Sequence, residues 1–139
     1  MRTSDNTRRF IHRLKVLEFS IENRDYDFPA MAGEIDKYCR KNQIPWKMAY
    51  RIRLAFEELI HQTLIPALRQ PEIRVAVEYS EAGESATMTI CYNGPEFDVT
   101  ASEDDLSREV LKSAVSGMTY ERTENAECPK QVTLQIRAE

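Results

Sequence analysis

Arg51-Ile52-Arg53-Leu54-Ala55-Phe56-Glu57-Glu58-Leu59-Ile60-His61-Gln62 places apolar residues at Ile52, Ala55, Phe56, Leu59 and Ile60, the spacing of a helix with one buried face. Continued back to Met48 and on to Thr63 and Leu64, the stripe predicts a helix over residues 46–65. Pro66 has no N–H to offer the Gln62 carbonyl, so a kink or an end is expected there. Arg51, Leu54, Glu58 and Gln62 fall on an adjoining stripe, which can face a cleft while the rest of the helix packs.

Outward from this helix the periodicity alternates between two and 3.6. Residues 14–22 carry Leu17, Phe19 and Ile21 on one face, as a half-buried strand does. A turn over residues 25–28 precedes Pro29, a helix-start residue, and Met31, Ile35, Tyr38 and Cys39 continue at helical spacing to a break at residues 42–45. Residues 72–80 and 85–92 alternate on either side of Glu81-Ala82-Gly83-Glu84, a hairpin signature. An acidic loop over residues 98–105 leads to a helix with Leu106, Val110, Leu111, Ala114 and Val115, for which Gly117 is the expected cap. Two strands, residues 118–123 and 131–137, close the chain. This order predicts an α+β domain, a mixed, mostly antiparallel sheet with three helices packed on one face.

The chain has 139 residues, 42% of them hydrophobic, which is enough for one domain with its own core. Residues 1–12 read as a basic N-terminal arm or linker and residues 13–139 as the domain. A net charge of −4 argues against wholesale nucleic-acid binding, which needs a basic surface to displace counterions. The first fifteen residues hold Arg2, Arg8, Arg9, Arg13 and Lys15 but no apolar run, so neither a signal peptide nor a membrane span is expected, and the protein is read as cytoplasmic. Cys39, Cys91 and Cys128 form no Cys-x-x-Cys pair and suggest neither a disulfide framework nor a zinc site. Cys91, within a strand, reads as a small apolar filler. With His12 and His61 the only histidines, local spacing assembles no metal or nucleophile cluster.

Three stretches together resemble a known family. Leu54-Ala55-Phe56-Glu57-Glu58 with Gln62, Tyr92-Asn93-Gly94-Pro95-Glu96-Phe97-Asp98, and Met118-Thr119-Tyr120-Glu121-Arg122 followed by Gln131-Val132-Thr133-Leu134 are similar, in order, to motifs of the histidine-kinase-like ATPases. Among these the bacterial anti-sigma-factor serine kinases are the nearest. The resemblance runs from about residue 13 to the end and implies the sandwich of that superfamily.

It also implies roles. Glu58 stands at the glutamate that polarises the attacking hydroxyl or water, and Gln62 at the asparagine that carries magnesium. Magnesium requires near-octahedral geometry at about 2.0–2.1 Å, so a ligand longer by one methylene is displaced. Tyr92 replaces the aspartate that accepts from the adenine amino group, and Glu96 replaces a glycine of close approach. Asn93, Gly94 and Phe97 match. Where the family cradles phosphate on bare amides at a helix start, this chain has Ser107-Arg108-Glu109-Val110 behind Glu103-Asp104-Asp105, and acids in a first turn satisfy those amides instead.

Two readings follow. In the first, the chain is a regulatory protein-interaction module on an anti-sigma-kinase-like scaffold with a degenerate ATP site and no expected cofactor. Its partner is a sigma-factor-like or antagonist protein, or other domains of a longer chain. Neither nucleic acid nor membrane is expected as a partner, and a homodimer stays open. In the second it is an active serine/threonine protein kinase of the anti-sigma-factor type. ATP and magnesium are then held by Gln62, Tyr92, Asn93, Gly94 and Phe97, with Glu58 as catalytic base.

Overall fold

A computed structural model describes residues 11–13, 16–68, 70–80, 84–93, 105–124 and 129–137, with the backbone alone described for residues 11–13 and 105–108. Its elements are β1 (Ile11–Arg13), β2 (Val16–Ile21), α1 (Phe28–Lys41), α2 (Trp46–Ala55), a π-helical segment (Phe56–Leu64), α3 (Ile65–Ala67), β3 (Ile73–Ser80), β4 (Ser85–Tyr92), α4 (Asp105–Ala114), β5 (Gly117–Arg122) and β6 (Lys130–Arg137). The fold is α+β. Six strands form one sheet in the order β1-β2-β3-β4-β6-β5, and every pairing among them is antiparallel.

The period-two patterns set which face is covered. Leu17, Phe19 and Ile21 of β2, Ile73, Val75, Val77 and Tyr79 of β3, and Met88, Ile90 and Tyr92 of β4 are all buried. So are Val132, Leu134 and Ile136 of β6, while the intervening residues are half-buried or exposed. The helices close that one face: Met31, Ile35 and Tyr38 of α1, Met48, Ile52 and Ala55 of α2, and Phe56, Leu59, Ile60 and Leu64 of the π segment join a single cluster with the sheet. Large buried side chains of this kind each contribute about 1.5–3 kcal/mol relative to exposure.

Local chemistry fixes the helix ends. The Asp27 carboxylate accepts from the Ala30 amide at 3.0 Å, and Pro29 sits in the first turn where its missing N–H has no cost. At the other end of α1, Gln43 N–H donates to the Arg40 carbonyl and Ile44 N–H to that of Cys39, the paired bonds of a Schellman motif. Gln43 takes the left-handed conformation there, at φ 54°, where glycine is the usual occupant.

Several expectations are corrected. The helix starting at Trp46 runs one residue past Pro66, to Ala67, with Leu68 as its extended cap, because the chain before the proline has changed hydrogen-bond register. Ile65 N–H reaches the Ile60 carbonyl, five residues back, so the turn has already widened where the ring of Pro66 would clash. Gly117 is the first residue of β5, paired with Gln135, and does not cap α4. The strand expected over residues 14–22 is β2, and β1 pairs with it, bringing Ile11 and His12 of the expected arm opposite Glu18 and Leu17. Cys91 is disulfide-bonded, whereas Cys39 is free and buried; the lack of a Cys-x-x-Cys pair carries no information about a bond closed by tertiary structure. No helix among the described residues is long and apolar enough to cross a membrane.

Candidate functional site

The described residues among those singled out in the sequence lie on two elements, Glu58 and Gln62 on the π segment and Tyr92 at the end of β4 with Asn93 after it, and both elements contribute side chains to the one core cluster. The π segment presents Glu58 half-buried and Gln62 exposed. Within it the Thr63 Oγ1 donates to the Glu58 backbone carbonyl, five residues back, at 2.8 Å. π-Helix is rare and occurs mostly as single-turn bulges, frequently at functional sites; this one runs for nine residues and contains both Glu58 and Gln62.

Tyr92 ends β4 with its side chain 1% exposed, inside the hydrophobic cluster. Asn93 follows, and its amide is engaged on both sides. Oδ1 accepts from the Glu72 N–H at 2.9 Å, and Nδ2 donates to the Gln70 carbonyl at 3.1 Å. Asn93 thus ties the turn before β3 to the end of β4. Gly94, Phe97, Glu96 and the acidic loop up to residue 104 lie outside the described residues, as do the side chains of Ser107 and Arg108.

The structure adds Lys130, which the sequence reading passed over. It is 8% exposed, the one charged side chain buried to that degree among the described residues, and it stands in register between Tyr92 on β4 and Arg122 on β5. Ile21, Ile73, Tyr92, Lys130 and Arg122 consequently form one row across the helix-covered face. Strand parity was the available signal: Lys130 shares a face with Val132, Leu134 and Ile136. The row changes from apolar to cationic on passing from β4 to β6.

A second cluster braces the opposite flank of the π segment. The Tyr26 hydroxyl lies 2.7 Å from His61 Nδ1, Phe28 stacks on His61 at 4.0 Å between ring centres, and Phe28 also stacks on Phe56 at 5.7 Å. Burial holds the Tyr26 phenol well above its usual range, so it stays neutral and able to donate to the imidazole. No group of three or more His, Cys, Asp or Glu side chains converges to hold a metal ion among the described residues.

No protein-family model and no curated protein matches the chain.

Proposed function

We propose that the chain is a regulatory protein-interaction module on an anti-sigma-kinase-like scaffold whose nucleotide positions have been taken over by structural work. The observation that carries this reading is the pair Tyr92 and Asn93. Tyr92, at the position of the adenine-selecting carboxylate, is packed into the core, and the Asn93 amide is held by one bond accepted from the backbone of residue 72 and one donated to that of residue 70. Those two bonds fix the orientation of the Asn93 amide, and turning it toward a base or a metal would break them at about 0.5–1.5 kcal/mol each. The exposed Gln62 and the π register around it add a further departure from a magnesium site.

The active-kinase reading is favoured by one feature, a half-buried Glu58 on a π segment. Thermal unfolding with ATP and magnesium separates the two. A genuine site at a hundredfold excess of ligand over its dissociation constant adds about 2.7 kcal/mol of stability; the interaction reading expects no shift. Cytoplasmic location belongs to the same proposal; the Cys91 disulfide weighs against it, because cytosolic thiols are held reduced, and recovery of that bond from cells lysed under thiol-trapping conditions would overturn it.

A further inference from the structure

We infer that the groove bounded by α1, α2 and the π segment is a docking site for a lysine or arginine side chain of a partner protein, carried beside apolar residues. The inference rests on the protein-interaction reading for having a protein as its partner. It uses other residues than Tyr92 and Asn93 and is tested without nucleotide, so the two fail separately.

The apolar lining comes from α2. Trp46 is 75% exposed and Tyr50 is 62% exposed; four residues apart, they are neighbours on one helix face. With Ala49 and Leu54 they line a groove of about 380 Å³. Large aromatics left in water and grouped on a concave surface mark a contact site.

The polar lining is Asp36 of α1, Arg53 of α2 and Glu57 of the π segment, two carboxylates against one guanidinium and so a formal net charge of −1. Arg53 Nη1 donates to Asp36 Oδ2 at 2.7 Å, and Nη2 donates to Glu57 Oε2 at 3.3 Å. The guanidinium therefore meets one oxygen of each acid. Asp36 Oδ1 and Glu57 Oε1 take no bond among the described residues. Neither oxygen is buried, since Arg53 Nε is the one buried side-chain N or O atom without a partner among those residues, and both acids are 39% exposed. Two accessible acceptors and one excess negative charge thus lie in a groove walled by two aromatic rings.

Charge complementarity selects the occupant. It needs one positive charge, N–H donors for two acceptors and an apolar stem to lie along the rings. A lysine or arginine side chain has all three: charge-assisted bonds to Oδ1 and Oε1, methylenes against Trp46 and Tyr50, and a cation near the ring faces. Neighbouring apolar residues of the partner then cover Ala49 and Leu54. An acidic segment meets net repulsion. A free polyamine brings several charges to a groove with one in excess and leaves its apolar wall uncovered. Among the described residues no cation but Arg53 lines the groove, and Lys37, next to Asp36 in sequence, lies 3.8 Å from Glu34.

Trp46 is the chain's single tryptophan and reports directly on the groove. The probe is an acetylated, amidated Gly-Ser peptide whose only charge is a central Lys flanked by Leu, titrated against the full chain by calorimetry and by Trp46 emission. Saturable binding with a dissociation constant below about 1 mM and a shift of Trp46 emission are expected. The same peptide with Gln in place of Lys should bind about tenfold or more weakly. Glu57→Gln and Tyr50→Ser, each with an unchanged circular dichroism spectrum, should weaken the Lys peptide several-fold; they alter different walls, so either decides if the other misfolds. The inference is overturned by absence of binding at about 1 mM, by equal binding of the Gln peptide, or by variants that bind as the wild type does. It is equally overturned if a Glu peptide, spermine or phosphatidylserine vesicles shift Trp46 and the Lys peptide does not, or if the emission shifts with protein concentration alone, which signals a second copy of the chain at this face.

Discussion

Tyr26 and His61 are joined through a 2.7 Å contact between the phenol oxygen and Nδ1, across thirty-five positions of sequence. This contact, with Phe28 stacked on the same imidazole, fastens the start of α1 to the middle of the π segment. Tyr26→Phe keeps the ring packing and removes only the bond. We expect a loss of about 0.5–1.5 kcal/mol by urea unfolding. An unchanged midpoint would show that the contact does not hold the π segment.

Alkaline pH should erode stability in two stages. Burial pushes the Cys39 thiol from 9.0 up to about 12, and the Tyr38 phenol from 10.0 up to about 12, against a smaller opposing bond from the Tyr79 backbone; Tyr26 is raised as well. In each case the folded protein keeps a proton that the unfolded chain gives up. The contribution is therefore complete below the unfolded value and is lost as pH rises through the folded one. Urea midpoints should begin to fall above about pH 9 for Cys39 and steepen above about pH 10 for the tyrosines. Cys39→Ala should remove the earlier stage and leave the later one.

Gln43 holds a left-handed backbone at the Schellman corner, where a side chain is strained and glycine is not. Gln43→Gly should stabilise the protein by roughly 0.5–1 kcal/mol, read from thermal or urea unfolding. Destabilisation would mean that the corner is set by something other than its backbone conformation.

Asn93→Ala removes both bonds to the backbone of residues 70 and 72. A cost of about 1–2 kcal/mol is expected, with no change in the thermal response to ATP and magnesium. If the variant instead abolishes a response present in the wild type, Asn93 is a nucleotide contact and the interaction reading fails.

Restoring the family's carboxylate by Tyr92→Asp places a charge where the side chain is 1% exposed. We expect about 3–5 kcal/mol of destabilisation, so this change alone should unfold the chain before it creates a nucleotide site. A well-folded Tyr92→Asp protein in calorimetry would show that the position opens readily to solvent.

Local signals in the sequence determined much of the architecture. Alternation in β2, β3 and β4 put the correct residues on the covered face, and the 3.6 spacing of α1 and α2 placed their buried stripes, because those periods follow from backbone geometry alone. Asp27, Pro29 and the Ser80-to-Ser85 hairpin acted through bonds a few residues long. Tertiary structure decided the rest. Pro66 signalled a kink or an end locally, but the π register of residues Phe56–Leu64, with Phe56, Leu59, Ile60 and Leu64 buried, is visible only in the folded chain. The brace of Tyr26 on His61, and the row that sets Lys130 between Tyr92 and Arg122, exist only once α1 has docked and β6 has entered between β4 and β5. Contacts between residues far apart in the chain are set by strand order and packing, for which neighbouring residues carry no signal.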